Sequence, residues 1–188
     1  MSLNYHLILA SKSPRRQELL SKLDVDFEVR VKSIDESYPD NLPKSQIAEY
    51  LAVQKSHAFD HLKQKELLLT SDTTVLLNDM LLEKAGSDLD AKRMLESLSG
   101  KTHKVITGVC LRSHDKMVSF SESTAVSFKV LKEEEIDYYI SKYKPFDKAG
   151  AYGIQEWMGM IGITKIEGDF YNVMGLPLQR LYEELKTF

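Results

Sequence analysis

Apolar and polar positions alternate along this chain with two different periods, and the way those periods interleave predicts strands and helices in turn. The run Leu7-Ile8-Leu9, within residues 5–10, reads as a buried strand, and residues 14–23 as a helix with Leu19, Leu20 and Leu23 on one side. Phe27 to Val31 alternates as a second strand, and residues 45–62 place Ile47, Leu51, Ala58, Phe59 and Leu62 near helical spacing. Leu67 to Ser71 predicts a short apolar strand ending at Asp72, and Val75–Leu77 and Leu81–Leu82 flank a hairpin turn at Asn78-Asp79. Ser87, with Asp90 three residues on, caps a helix carrying Met94, Leu95 and Leu98 that Gly100 stops. Two long strands near 103–113 and 117–129, turning at His114-Asp115, predict a curved ribbon. Glu133 to Tyr143 reads as an amphipathic helix, 160–167 as a strand, and Pro177 opens a last helix through Leu178, Leu181 and Leu185. The predicted class is α/β: one unit with a mixed sheet, with room for a cleft between two lobes.

One segment breaks the usual rules for a helix start. After the first strand comes Ala10-Ser11-Lys12-Ser13-Pro14-Arg15-Arg16, in which Ser13 suits the N-cap and Pro14 the first helical position. A first turn favours acidic residues, because the helix dipole already places partial positive charge there. Arg15 and Arg16 beside Lys12 oppose that preference, which points to a polyanion supplying the missing negative charge.

Composition narrows the field. At 188 residues the chain can bury a sizeable core, and a net charge of −3 makes the basic cluster local rather than a broad nucleic-acid surface. The single cysteine, Cys110, lies in an apolar run, as expected of a buried side chain in a reducing compartment. The start Met1 to His6 lacks a charged, then apolar leader, and no apolar run is long enough to span a bilayer, so a cytoplasmic protein without membrane contact is expected.

Four further segments carry candidate chemistry. Asp35-Glu36-Ser37 follows the second strand, and Ser71-Asp72-Thr73-Thr74 reads as a strand delivering a carboxylate into a hydroxyl-rich turn. Carboxylates so placed either hold Mg²⁺ together with substrate phosphates or take a proton from water. Lys55 and Lys84 are candidate cations, and the run Phe146 to Gln155 combines small residues with an amide able to read a base edge. His57 and His61, four apart on the expected helix, lack a metalloprotease pattern and read as surface residues. Exposed apolar residues around Trp157 and Met160 leave room for a homodimer.

The ordered set Ala10-Ser11-x-Ser13-Pro14-Arg15-Arg16, Asp35-Glu36, Ser71-Asp72-Thr73, Leu98-Ser99-Gly100-x-x-His103-x-Val105-x-Thr107-Gly108, Asp147 to Gln155 and Asn172-Val173-x-Gly175-Leu176-Pro177 resembles the Maf family of nucleoside triphosphate pyrophosphatases, historically tied to septum formation. The resemblance implies one domain over residues 1–188, with a mixed, elongated curved sheet, flanking helices and two lobes around a central cleft, as in inosine triphosphate pyrophosphatases. It implies hydrolysis of a nucleoside triphosphate to the monophosphate and pyrophosphate with a divalent metal, Mg²⁺ or Mn²⁺. By position, Ser11, Ser13, Arg15 and Arg16 would cradle the triphosphate, and Glu36 and Asp72 would hold metal or activate water, Asp72 being the favoured general base. Lys55 and Lys84 would neutralise phosphate charge, Lys84 counting with the catalytic set. Thr73 and Gln155 would face the base and favour dTTP and UTP. Two places depart from the family pattern: Glu83-Lys84-Ala85 stands where Gly-Lys-Pro is usual, and Glu156 where a glycine usually follows the glutamine. A purine or modified-nucleotide pyrophosphatase (ITP or 7-methyl-GTP) and a non-catalytic nucleotide sensor of cell division are the alternatives.

Overall fold

The computed structural model describes residues 3–188; Met1 and Ser2, where the leader reading begins, lie outside the described residues. In chain order the strands are β1 (His6–Leu9), β2 (Phe27–Val29), β3 (Glu66–Leu77), β4 (Met80–Leu82), β5 (Thr102–Arg112), β6 (Met117–Phe128) and β7 (Ile163–Glu167). The helices are α1 (Pro14–Ser21), α2 (Ile47–His57), α3 (Asp88–Leu98), α4 (Glu133–Tyr143), α5 (Trp157–Gly162), α6 (Phe170–Met174) and α7 (Leu178–Thr187). Among the described residues the strands form one mixed sheet in the order β2-β1-β3-β5-β6-β7, with β4 paired to β3. By contacts the chain divides into two compact units, and β3, β5 and β6 each contribute residues to both.

The first unit comprises residues to Thr73, Thr107–Glu122 and Gly175–Phe188. β1 runs parallel to both β2 and β3, with Leu7, Ile8 and Leu9 opposite Leu67, Leu68 and Leu69. All six leucine and isoleucine side chains are fully buried, which is why these strands read as unbroken apolar runs instead of alternating. α2 lies directly on β5: a Cβ at Gly108 would come within 2.2 Å of the Glu49 backbone nitrogen, so only glycine fits there. Cys110 of β5 is buried as expected.

The second unit comprises Thr74–Ile106 and Ser123–Met174. Its core gathers Leu95 and Leu98 of α3, Ile136 and Tyr139 of α4, Val126 and Phe128 of β6, and Met158 of α5. Ser87 caps α3 by accepting from the Asp90 N–H at 3.1 Å, as the sequence indicates. Glu135 reaches back to the Lys132 N–H at 2.9 Å to fix the start of α4. Buried within this unit, His103 pairs its Nε2 with the Tyr152 hydroxyl at 2.7 Å and stacks on Phe128.

Four sequence expectations need correction. The expected break at Asp72 is absent: residues 66–77 form a single twelve-residue strand, so Ser71-Asp72-Thr73-Thr74 is mid-strand and not a turn. The tertiary bonds of Ser71, Asp72 and Thr73 described below hold this stretch extended, overriding its turn propensity. The helix expected over 45–62 ends at His57, after which Phe59 and Leu62 pack from a loop against Ile8 and Leu68, satisfying the apolar pattern without helix. His57 and His61 therefore do not share a helix; both line a surface groove with Arg112 and Lys116. The strand expected over 160–167 starts at Ile163, since α5 occupies Trp157–Gly162, and the second strand is only Phe27–Val29.

Candidate active site

β3 organises the site by its two-residue period, which sends alternate side chains to opposite faces. Thr70 and Asp72 share one face and meet α2: the Thr70 hydroxyl donates to the Ala52 carbonyl at 2.6 Å, and Lys55 Nζ donates to Asp72 Oδ1 at 2.5 Å. Ala52 and Lys55 are three apart, on one side of α2, so the two bonds fix strand and helix in register. Lys55 also reaches Glu36 Oε1 at 2.9 Å, bringing the carboxylates of two distant segments onto one ammonium. The lysine and Asp72 side chains are mostly buried, at 18% and 15% exposure, whereas Glu36 is 52% exposed. Asp35, its neighbour, is occupied differently: it accepts from the backbone N–H and hydroxyl of Ser37 and shapes the loop.

The other side of β3 engages Arg16. Its Nε donates to the Gly175 carbonyl at 2.8 Å, Nη1 to the Ser71 carbonyl at 2.8 Å, and Nη2 to the Thr73 hydroxyl at 2.9 Å. Thr73 Oγ1 in turn pairs with Thr107 Oγ1 at 2.9 Å. Burial presses the Arg16 guanidinium below its ordinary value, while the charges of Asp72 and Glu36 pull it back up. Arg16 is thus a fork joining α1, β3 and the segment before α7, and Thr73 is its acceptor.

The loop leading into α1 is shaped as the sequence predicts. Ser13 is the N-cap, accepting from the Arg16 N–H at 3.4 Å, and Pro14 takes the first helical position. Ser11 is buried, and its hydroxyl accepts from the Ser13 N–H at 3.2 Å, holding the turn that aims the helix N-terminus. Arg15 is half-buried on the first turn, which contains no acidic residue.

Lys84 and Gln155 belong to the second unit. Lys84 is exposed; its backbone bridges that of Ala149 in antiparallel fashion, and the Glu83 carbonyl accepts from Gly150 at 3.1 Å. These backbone ties place Lys84 without the flanking glycine and proline usual in the family pattern, and Ala85 is buried in the core. Gln155 is half-buried in the turn closed by the Glu156 N–H on the Gly153 carbonyl at 3.0 Å. Sequence reasoning missed three groups: the Gly175 carbonyl that accepts from Arg16 in the first unit, and Tyr139 and Lys148 in the second. The only sequence signal for the first was the position of Gly175 within Asn172-Val173-x-Gly175; Tyr139 read simply as the apolar face of a helix.

The donor set suits a small hard cation. Mg²⁺ and Mn²⁺ take oxygen ligands, and Mg²⁺ in particular uses one or two carboxylates with substrate phosphates completing its shell. Asp72 and Glu36 provide such a pair, already gathered on one cation. Among the described residues no three His, Cys, Asp or Glu side chains converge, so an all-protein metal cage is not what this set resembles.

Known proteins match nearly the whole chain. A family model described as Maf-like protein matches residues 6–188. A dTTP/UTP pyrophosphatase of Parabacteroides distasonis is 54% identical over 186 residues, covering 98% of this chain and 96% of the relative. Another protein of that name, from Flavobacterium johnsoniae, is 48% identical over 184 residues, with 97% and 95% coverage. Among solved structures, a HAM1 protein from Coxiella burnetii superposes with a TM-score of 0.53 over 98% of this chain and all of that one; at 16% identity it shows a shared fold.

Proposed function

Because this chain belongs to the Maf-like family, we propose that it hydrolyses a pyrimidine nucleoside triphosphate, dTTP or UTP, to the monophosphate and pyrophosphate. The observation that carries the reading is Lys55 holding Asp72 and Glu36 together beside the basic, serine-capped start of α1. Relatives named for this activity, about half identical along nearly their full length, support the substrate class.

Phosphoryl transfer asks mainly for positioning and for charge stabilisation at the attacked phosphorus. The N–H groups at the start of α1 and the Arg15 side chain bind phosphate oxygens. Arg16 keeps that helix start registered against β3 through its fork. Lys55 orients Asp72 through Oδ1, leaving Oδ2 to accept the proton of the attacking water. As the water oxygen bonds to phosphorus, the α–β phosphoanhydride opens and pyrophosphate departs. A bound Mg²⁺ or Mn²⁺, held by Asp72 and Glu36, would supply Lewis-acid neutralisation of the phosphates.

Base selection is assigned to Gln155, whose amide can both donate to and accept from a pyrimidine edge. Thr73 contributes by holding Arg16, since that is where its hydroxyl is engaged. A nucleotide panel tests the reading: pyrophosphate release from dTTP and UTP, with little from ITP or 7-methyl-GTP, is the expected result. Preference for either purine would overturn it.

A further inference from the structure

Gln155 has no rigid element of its own; it sits in a turn, yet reading a base edge needs an amide held within a fraction of an ångström. The second unit supplies that rigidity through side chains. Lys148, only 9% exposed, places Nζ 2.9 Å from Glu156 Oε1 and 2.8 Å from Asp147 Oδ1. Glu156 Oε2 accepts a short hydrogen bond from the hydroxyl of Tyr139, a fully buried residue of α4. That same hydroxyl accepts from the Gly153 N–H at 3.1 Å. The Glu156 side chain folds back over Gly153 so closely that a Cβ there would lie 2.7 Å from Glu156 Cδ. Both ends of the Gly153–Glu156 turn are therefore tied to Tyr139, one through its backbone and the other through its carboxylate.

On this basis we infer that Tyr139, Glu156 and Lys148 form a buried brace that fixes the turn carrying Gln155, making Glu156 and Tyr139 positioning residues for base selection. The inference rests on the assignment of Gln155 to the base. Charge and donor count agree: the carboxylate has a lysine on one oxygen and a phenol on the other, so neither is left buried without a partner. Burial and the bond to Glu156 both push the Tyr139 phenol upward, keeping its proton available for donation. A glycine at position 156 could not make either bond, so the brace is particular to chains carrying glutamate there.

The test is steady-state kinetics with dTTP and UTP on Glu156→Ala, Tyr139→Phe, Glu156→Gln and Gln155→Ala, with thermal midpoints on the same samples. Tyr139→Phe keeps the ring and Glu156→Gln keeps the shape, so they decide the matter should Glu156→Ala fail to fold. The expected result is a KM for dTTP raised roughly tenfold in Glu156→Ala and Tyr139→Phe, the worth of one misplaced hydrogen bond, with kcat within about threefold of the parent and Glu156→Gln intermediate. If Gln155→Ala raises KM but the Glu156 and Tyr139 variants leave it unchanged, the brace is refuted while the base assignment stands. If Gln155→Ala itself changes neither KM nor base preference, the base assignment fails and the brace with it. A fall in kcat at constant KM in the brace variants would also overturn the inference.

Discussion

Lys55 Nζ stands 2.5 Å from Asp72 Oδ1, and the same ammonium reaches Glu36 at 2.9 Å. A carboxylate at the middle of a mostly buried strand is costly unless paired. The lysine offsets that cost and sets the orientation of Asp72. Lys55→Met should therefore act on both properties. It is expected to lower kcat by about a hundredfold through a misaimed base, and to destabilise the fold by about 3 kcal/mol through an uncompensated carboxylate. Turnover and urea unfolding on one preparation check both figures.

Arg16 and Arg15 are adjacent in sequence but differ in what they hold. Arg16→Lys keeps the charge but loses the planar fork that spans Gly175, Ser71 and Thr73. It is expected to cost about 2 kcal/mol of stability and to weaken turnover, because the start of α1 loses its registration against β3. Arg15→Ala is expected to raise KM with a smaller stability loss. Unfolding midpoints set beside KM values separate the two roles.

The contrast between these arginines shows how far the sequence could be read. Cap, proline and cations around Ser13 were legible because a helix start is a local construction. Glu133–Tyr143 was legible because its apolar spacing is strict. The strand through Asp72 was not, since Ser71 and Thr73 have turn chemistry and remote partners keep them extended. Of the paired acidic residues, sequence could not tell that Asp35 shapes a loop while Glu36 reaches Lys55. The Tyr139 hydroxyl was hidden because one polar atom on an apolar helix face leaves no trace in periodicity.

His103 gives the fold a pH dependence. Burial lowers its pKa to about 4, so the native state keeps it neutral where the unfolded chain becomes protonated. The unfolded state then binds the extra proton, and stability present above about pH 6.5 is lost as pH falls towards 4. With the ring 2% exposed, the full loss amounts to about 3 kcal/mol. Unfolding curves between pH 7 and 4.5 should show this slope, and His103→Phe should flatten it.

Cys110 should be silent in the native protein. It is fully buried, and burial pushes its thiol above the ordinary range, so the thiolate that reacts with disulfide reagents is scarce and enclosed. A chromogenic disulfide is expected to label no thiol in buffer and one equivalent in denaturant.

Turnover of dTTP by Asp72→Asn, measured as pyrophosphate release at saturating Mg²⁺ beside nucleotide binding by calorimetry, tests the central claim most directly. The substitution keeps size and hydrogen-bonding shape but removes the proton acceptor. The expected result is nucleotide affinity within about tenfold of the parent and turnover reduced by at least about a hundredfold in a normally folded protein. Near-full turnover in that variant would contradict the account.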